Sequence, residues 1–343
     1  MPEKTKAINE ESAVRNKITL ITFFCSIMIL FIHSYNLATY GITEASTGFS
    51  HIIYCLERTW NFFGYTTLST FFFISGFLFF RTYELRKTKE KYISRITSIL
   101  IPYIIWCTVY YLYFVLLTNL PYIRDIINTE KTPFSLISFL NALWVEEYYT
   151  LWFLQELIIY IALCPLIYLL MKNKYIGGII LIVLLFFPEY TILGFSLSGY
   201  LYYMAGAYLA INFQNLIYYR SRVMTTISCL FVIIMLATQC HYVLYPLSRL
   251  GIIISFWFIA DLLPLDREYP WWMKITFFTY VAHDIFLEMF EKIILMVFGR
   301  NPIYALLDYL LIPFFVFGVL VAIAGLLRKC APKIWGVITG MRI

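Results

Sequence analysis

Ile18–Leu37 reads ITLITFFCSIMILFIHSYNL, and this stretch decides the fold class. About 20 mostly apolar residues suffice to carry an α-helix across the hydrocarbon core of a bilayer. The centre, Ile27–Ile32, is IMILFI without a polar side chain, and Arg15 and Lys17 stand just before the run. The run is long and no small-residue cleavage site follows it, so it reads as an uncleaved first span and not as a removed signal peptide. Near its outer end stands His33. A titratable imidazole in an apolar helix is costly unless it is paired or faces a polar cavity, so it is read first as functional. A second imidazole, His283, falls in another apolar run, Phe277–Phe290.

The rest of the chain has the same character. Of its 343 residues, 61% are hydrophobic and 13% charged, with a mean hydropathy of +0.77. A soluble domain carries about a quarter charged residues. The sequence therefore describes an all-α, polytopic membrane protein whose first partner is the lipid bilayer. We place ten spans at 18–39, 60–80, 97–118, 150–171, 176–188, 195–212, 223–241, 246–263, 273–298 and 302–327. The fifth is short, ends at Pro188, and reads as tilted or re-entrant. This layout leaves a polar cytoplasmic N-terminal tail (1–16), a transmembrane domain (17–330) and a cytoplasmic C-terminal tail (331–343). It leaves no room for a large soluble domain, and the two halves show no repeat of the inverted-repeat kind.

Charge supports the layout. With both termini cytoplasmic, 20 of the 26 Lys and Arg fall on the inner side. Arg58, Arg124, Lys131, Arg249, Lys292 and Arg300 fall on the outer side or at outer span ends. That asymmetry follows the positive-inside rule, and only an even number of spans preserves it. The net charge of +6 is thus a topology signal and not a nucleic-acid patch. Tyr35, Trp60, Trp144, Trp271 and Trp272 lie near span ends, where an aromatic belt is expected. The seven cysteines are scattered singles without CxxC spacing, and no metal or redox site is expected in this protein. Most lie in apolar runs and read as small buried hydrophobes. Cys55 and Cys240 both fall on the outer side, and the sequence alone does not pair them.

Four segments carry polar groups that need an explanation. Phe71–Leu78 (FFFISGFL) sets Ser75 and Gly76 in a span, where small residues let another helix approach closely. The basic link from Arg81 to Pro102 holds Lys91 and Arg95, four apart and on one helix face. Such a pair either anchors the chain to anionic head groups or seats a phosphorylated cytosolic donor. Glu156, one turn into the fourth span, requires a partner or a water-lined cavity. The ninth span is the richest, with Tyr280, His283, Asp284, Glu288, Glu291 and Lys292. Its Glu288 and Lys292 are spaced to pair. This set serves a satisfied structural network or proton-handling chemistry equally well.

Taken in order, these segments resemble the membrane-bound acyltransferase type 3 family. The basic N-terminus leads to His33, followed by FFFISGFL and then RITSILIPYIIW (Arg95–Trp106). LWFLQELIIYIALCPL (Leu151–Leu166), YLYYMAGAYLA (Tyr200–Ala210) and TFFTYVAHDIFL (Thr276–Leu287) follow. Each segment alone is weak, because apolar runs recur by chance; together, in the family's order, they cover nearly the whole chain. The resemblance implies ten spans and transfer of an acyl group, often acetyl. The implied donor is a cytosolic acyl-CoA, a substrate and not a permanently bound cofactor. The implied acceptor is a hydroxyl of an extracytoplasmic or cell-surface sugar or similar molecule. His33 matches the family's first-span histidine, usually treated as essential, and Arg95 matches its basic position at the start of the third span. One position departs: the family usually has Arg or Lys eleven residues before that histidine, and here Thr22 stands there.

Two classes of function accommodate these residues. In an acyltransferase, His33 is the general base, with His283 and Glu288 as further polar groups at the reaction path. Arg95 and Lys91 then hold the CoA phosphates. In a proton-coupled transporter without acyl chemistry, the same histidines and acids relay protons. Helix rise puts His33 about 24 Å beyond Lys17 and His283 about 13 Å beyond Lys274. The two imidazoles are therefore expected at different depths, facing one polar cavity lined by acids such as Glu288, with its cytoplasmic mouth near Arg95.

Overall fold

The computed structural model describes residues 2–120, 131–144, 149–187, 191–192, 195–238 and 245–341. In chain order its principal helices are α1 (Pro2–His33), α2 (Gly48–Phe80), α3 (Thr88–Arg95), α4 (Ile101–Asn119), α5 (Leu136–Trp144), α6 (Trp152–Ala162) and α7 (Cys164–Met171). They continue as α8 (Lys174–Phe186), α9 (Leu197–Asn212), α10 (Arg222–Thr238), α11 (Tyr245–Ile259), α12 (Thr276–Phe298), α13 (Pro302–Cys330) and α14 (Pro332–Ile338). Among the described residues, strand is confined to one antiparallel pair, Thr191–Ile192 with Phe195–Ser196. The fold is helical, as composition requires.

Each of the ten expected spans overlaps helical structure, the fourth as two helices. Five stretches are long and apolar enough to cross a membrane by themselves: Glu10–Tyr40, Gly48–Phe80, Leu85–Asn119, Tyr245–Leu262 and Pro302–Cys330. The pair α6 and α7, bent by 67° between them, makes a sixth if the two are counted as one span. Helices α8 and α10 are apolar but shorter. Helix α12 has 23 residues but includes Asp284, Glu288, Glu291 and Lys292. Pro188, the expected end of the fifth span, lies outside the described residues, as does Cys240.

Three boundaries differ from expectation, each for a tertiary or covalent reason. Helix α1 stops at His33 and not near residue 39, because Asn36 takes its hydrogen bonds elsewhere. Its side-chain amide donates to Asp308 Oδ2 (3.1 Å) and to the Ala305 carbonyl (3.4 Å). Its backbone N–H donates to Glu57 Oε2 (3.3 Å). Helix α2 begins at Gly48, well before residue 60, and the added turns bury Ile53 and Glu57 completely. Ile53 packs there with Leu37, Tyr40, Ile42 and Ala305. The fourth span breaks at Leu163 because Pro165, in the first turn of α7, has no N–H to continue the ladder.

The chain divides into two units. The first, residues 1–86 and 163–321, has a largely apolar interior that also holds polar groups, and it exposes large apolar side chains. Glu57, Thr66, Thr67, Ser69, Thr70, His283 and Asp308 are buried, while Ile179, Ile182, Phe186, Ile233 and Phe314 face outward. Lipid makes that arrangement stable: apolar side chains lose nothing by facing hydrocarbon, whereas polar ones must find partners inside. Two interior hydroxyls do so locally, Thr70 donating to the Thr66 carbonyl (3.0 Å) and Ser26 to the Thr22 carbonyl (2.8 Å). Helices α2 and α9 cross at two glycines. A Cβ on Gly76 would collide with the Tyr203 backbone, and one on Gly206 with the backbone of Phe73 and Phe77. The small residues of FFFISGFL and YLYYMAGAYLA thus serve one close helix crossing.

The second unit comprises residues 87–162 and 322–343. A π-helical turn, Ile96–Leu100, joins α3 to α4 directly after Arg95. The C-terminal segment closes over it: Gly340 has φ +67°, and a Cβ there would strike the Ser98 backbone. Trp106 Nε1 donates to the Ile338 carbonyl (3.0 Å). In α6, Tyr160 donates its hydroxyl to buried Glu156, which supplies the partner that an intramembrane acid requires.

Candidate functional site

The early end of α1 makes His33 the last residue of that helix. His33 Nδ1 lies 3.7 Å from Asp284 Oδ1 on α12. The His33 and His283 rings meet edge to face with centroids 4.8 Å apart. His283 is fully buried. Its Nδ1 donates to the Tyr280 carbonyl (2.7 Å) and lies 3.1 Å from that of Thr279. With the proton on Nδ1, Nε2 carries a bare lone pair, which has no hydrogen-bond partner among the described residues.

The structure thus brings His33 and His283 together, and corrects their expected depths. Residue counting from Lys17 and Lys274 separates them by about 11 Å along the membrane normal. The error lies in treating the two lysines as level. Trp272 packs against Phe23, ring centroids 5.5 Å apart, so α12 starts beside Phe23 and not beside Lys17. Six residues of α1 are worth about 9 Å, which removes most of the discrepancy. Lys17 itself is buried and donates to Asp261 (2.8 Å), with its ammonium 4.8 Å from the Trp257 ring centroid. Arg220 Nε lies 3.5 Å from the same carboxylate.

The acid next to His33 is Asp284, whereas Glu288, one turn further along α12, pairs with Lys292. Beyond them lies a second polar layer. Asp308 accepts from Asn36 and from the Tyr40 hydroxyl (3.3 Å), and Glu57 accepts the Asn36 N–H. Glu291 sits beside Ser34, with Asp308, Asp284 and Glu288 as its charged neighbours. Asn36, Glu57 and Asp308 were not singled out in the sequence; the signal that could have found Glu57 and Asp308 is the one that found Glu156, an acid in an apolar helix.

Thr22 stands three turns before His33 and on the same face of α1. Its hydroxyl donates to the Ile18 carbonyl (2.7 Å), a local bond that leaves this face uncharged. The nearby Lys17 is paired with Asp261. In the second unit, Lys91 lies on α3 with Lys87 and Arg95 as its charged neighbours, a basic face ending at the π turn. Arg249, read as a topology charge, is instead buried in α11. Its guanidinium stacks 3.8 Å from the Tyr245 ring centroid and lies 3.4 Å from Ser69 Oγ. A cavity of about 340 Å³ lined by Ile21, Phe73, Ile74, Phe77, Trp257 and Phe258 has almost no polar lining, so it suits hydrocarbon and not chemistry.

A family model described as an acyltransferase domain matches residues 15–328, nearly the whole chain. No curated protein and no solved structure matches it.

Proposed function

Because this chain belongs to the acyltransferase type 3 family and is a multi-pass membrane acyltransferase, we propose that it moves an acetyl group from cytosolic acetyl-CoA to a hydroxyl of an extracytoplasmic or cell-surface sugar or similar acceptor. The observation that carries this reading is His33 at the end of α1 with Asp284 beside its Nδ1. With Nδ1–H turned toward the carboxylate, Nε2 is the lone pair that accepts the acceptor's proton. The acceptor oxygen then bonds to the thioester carbonyl carbon, the carbon–sulfur bond breaks, and the proton passes to the departing thiolate. Asp284 stabilises the imidazolium that forms between these steps. His283, packed against His33, fixes the plane of its ring. Glu288 extends the acidic face one turn beyond Asp284. Arg95 and Lys91 contact the CoA phosphates, a role suited to cations that form charge-assisted bonds with phosphate oxygens.

The same reading takes the ten helical segments as ten crossings of the cell membrane, with both termini cytoplasmic, a tail over residues 1–16 and another over 331–343. Single-cysteine labelling from each side tests that topology. The function is tested with purified protein in vesicles, labelled acetyl-CoA inside and candidate polyols or glycans outside. Formation of an alkali-labile ester that requires His33 is the expected result. Proton-coupled movement of an unmodified solute, without thioester consumption, would replace it with the transporter reading.

A further inference from the structure

We propose that His33, His283 and Asp284 form a binding site for a divalent transition metal, Zn²⁺ above all, and that the bound ion switches off the base. The binding stands on geometry alone; the inhibition rests on the acyl-transfer reading of His33.

One ligand atom from each of the three residues lies within 4.8 Å of the others. Zinc takes imidazole nitrogen and carboxylate oxygen at about 2.0–2.2 Å in a tetrahedron, which sets ligand atoms roughly 3.3–3.6 Å apart. The 3.7 Å between His33 Nδ1 and Asp284 Oδ1 is already close to that spacing. Their side chains are 24% and 31% exposed, so both have room to close on an ion. His283 is the fixed member. The Tyr280 carbonyl holds its Nδ1–H, the same outer hydrogen bond that orients most metal-bound histidines. Its Nε2 is buried and unpartnered among the described residues, a cost that a cation would relieve. Two neutral imidazoles and one carboxylate select borderline transition metals over Mg²⁺ or Ca²⁺. Spacing in the sequence concealed the set because His33 comes from α1 and the other two from α12. An ion in this position turns His33 from proton acceptor into ligand.

Among the described residues, one exposed pair is a rival. His51 and Cys55 are a helical turn apart with Nε2 and Sγ 3.5 Å from each other. The experiment therefore uses full-length protein in nanodiscs carrying His51→Ala and Cys55→Ser. Zn²⁺ is titrated against a chromophoric chelator, and Co²⁺ is added to read visible absorption. One equivalent should bind, and Asp284→Asn or His283→Ala should each weaken binding at least about tenfold. Asp284→Asn keeps the test open if His283→Ala does not fold. The same ion should abolish acetyl transfer, and a chelator should restore it. Absence of one-to-one binding overturns the metal site and leaves the acyl-transfer reading untouched. Binding that Asp284→Asn does not weaken overturns the ligand assignment. Saturating ion without loss of transfer overturns the inhibitory role. Metal-free protein with no transfer to any acceptor counts against the acyltransferase mechanism while the binding result stands.

Discussion

His33 Nδ1 and Asp284 Oδ1 lie 3.7 Å apart, although 250 residues of chain lie between the two in the sequence. The distance is slightly long for a hydrogen bond and short enough for strong attraction once the ring is charged. In the proposed mechanism the carboxylate acts most on the imidazolium formed during proton transfer, which is where stabilisation accelerates a reaction.

Replacing His33 by Ala should lower acetyl transfer by about a hundred- to ten-thousand-fold, the usual contribution of a general base. Expression and membrane insertion should stay near normal, since the side chain is only partly buried and ends its helix. Initial rates in isolated membranes decide it; wild-type turnover would remove His33 from the chemistry.

Asp284→Asn and Glu288→Gln separate the two acids of α12. The first removes the anion beside His33 and should lower kcat by about tenfold or more with little change in acceptor KM. The second breaks an ion pair with Lys292 whose members are each about one-third exposed. Such pairs are worth little, and kcat should fall less than for Asp284→Asn. The reverse order would make Glu288 the acid that matters.

Arg95→Ala should raise the donor KM about tenfold, on the strength of charge-assisted phosphate contacts, with a smaller change in kcat. Lys91→Ala should act in the same direction and more weakly, because a lysine contacts phosphate as a point charge. Saturation curves in acetyl-CoA provide the readout. A fixed KM with a collapsed kcat would contradict the phosphate role.

Gly206→Leu should prevent stable folding, and Gly76→Ala should lower the melting temperature in detergent. In both cases the added carbons meet backbone and not a side chain that can rotate away. Overpacking costs about 1–3 kcal/mol where neighbours can yield, and more here because they cannot. An unchanged melting curve for both variants would show that α2 and α9 do not cross as described.

Asp261→Ala should destabilise more than Lys17→Met. The aspartate serves both Lys17 and Arg220, and its loss leaves Lys17 buried without its anion. Removing one member of a buried pair costs about 3–5 kcal/mol. Met in place of Lys17 keeps the apolar stem and leaves Asp261 with Arg220. Thermal unfolding of the two variants in one detergent compares them directly.

Membrane character, helical class and the location of ten helical segments were all legible in the sequence, because hydropathy and the requirement to satisfy every backbone group in lipid act locally along the chain. The histidines stood out for the same reason, as did Glu156 and the small residues around Gly76. Tertiary structure decided which groups meet. The end of α1 at His33 depends on Asn36 bonding to Asp308 and Glu57, residues on two other helices. The choice of Asp284 over Glu288 as His33's neighbour depends on helix rotation. The common level of the two imidazoles depends on Trp272 packing beside Phe23. Rotation, offset and termination by distant hydrogen bonds are relations between helices, and a one-dimensional pattern of apolar residues carries no record of them.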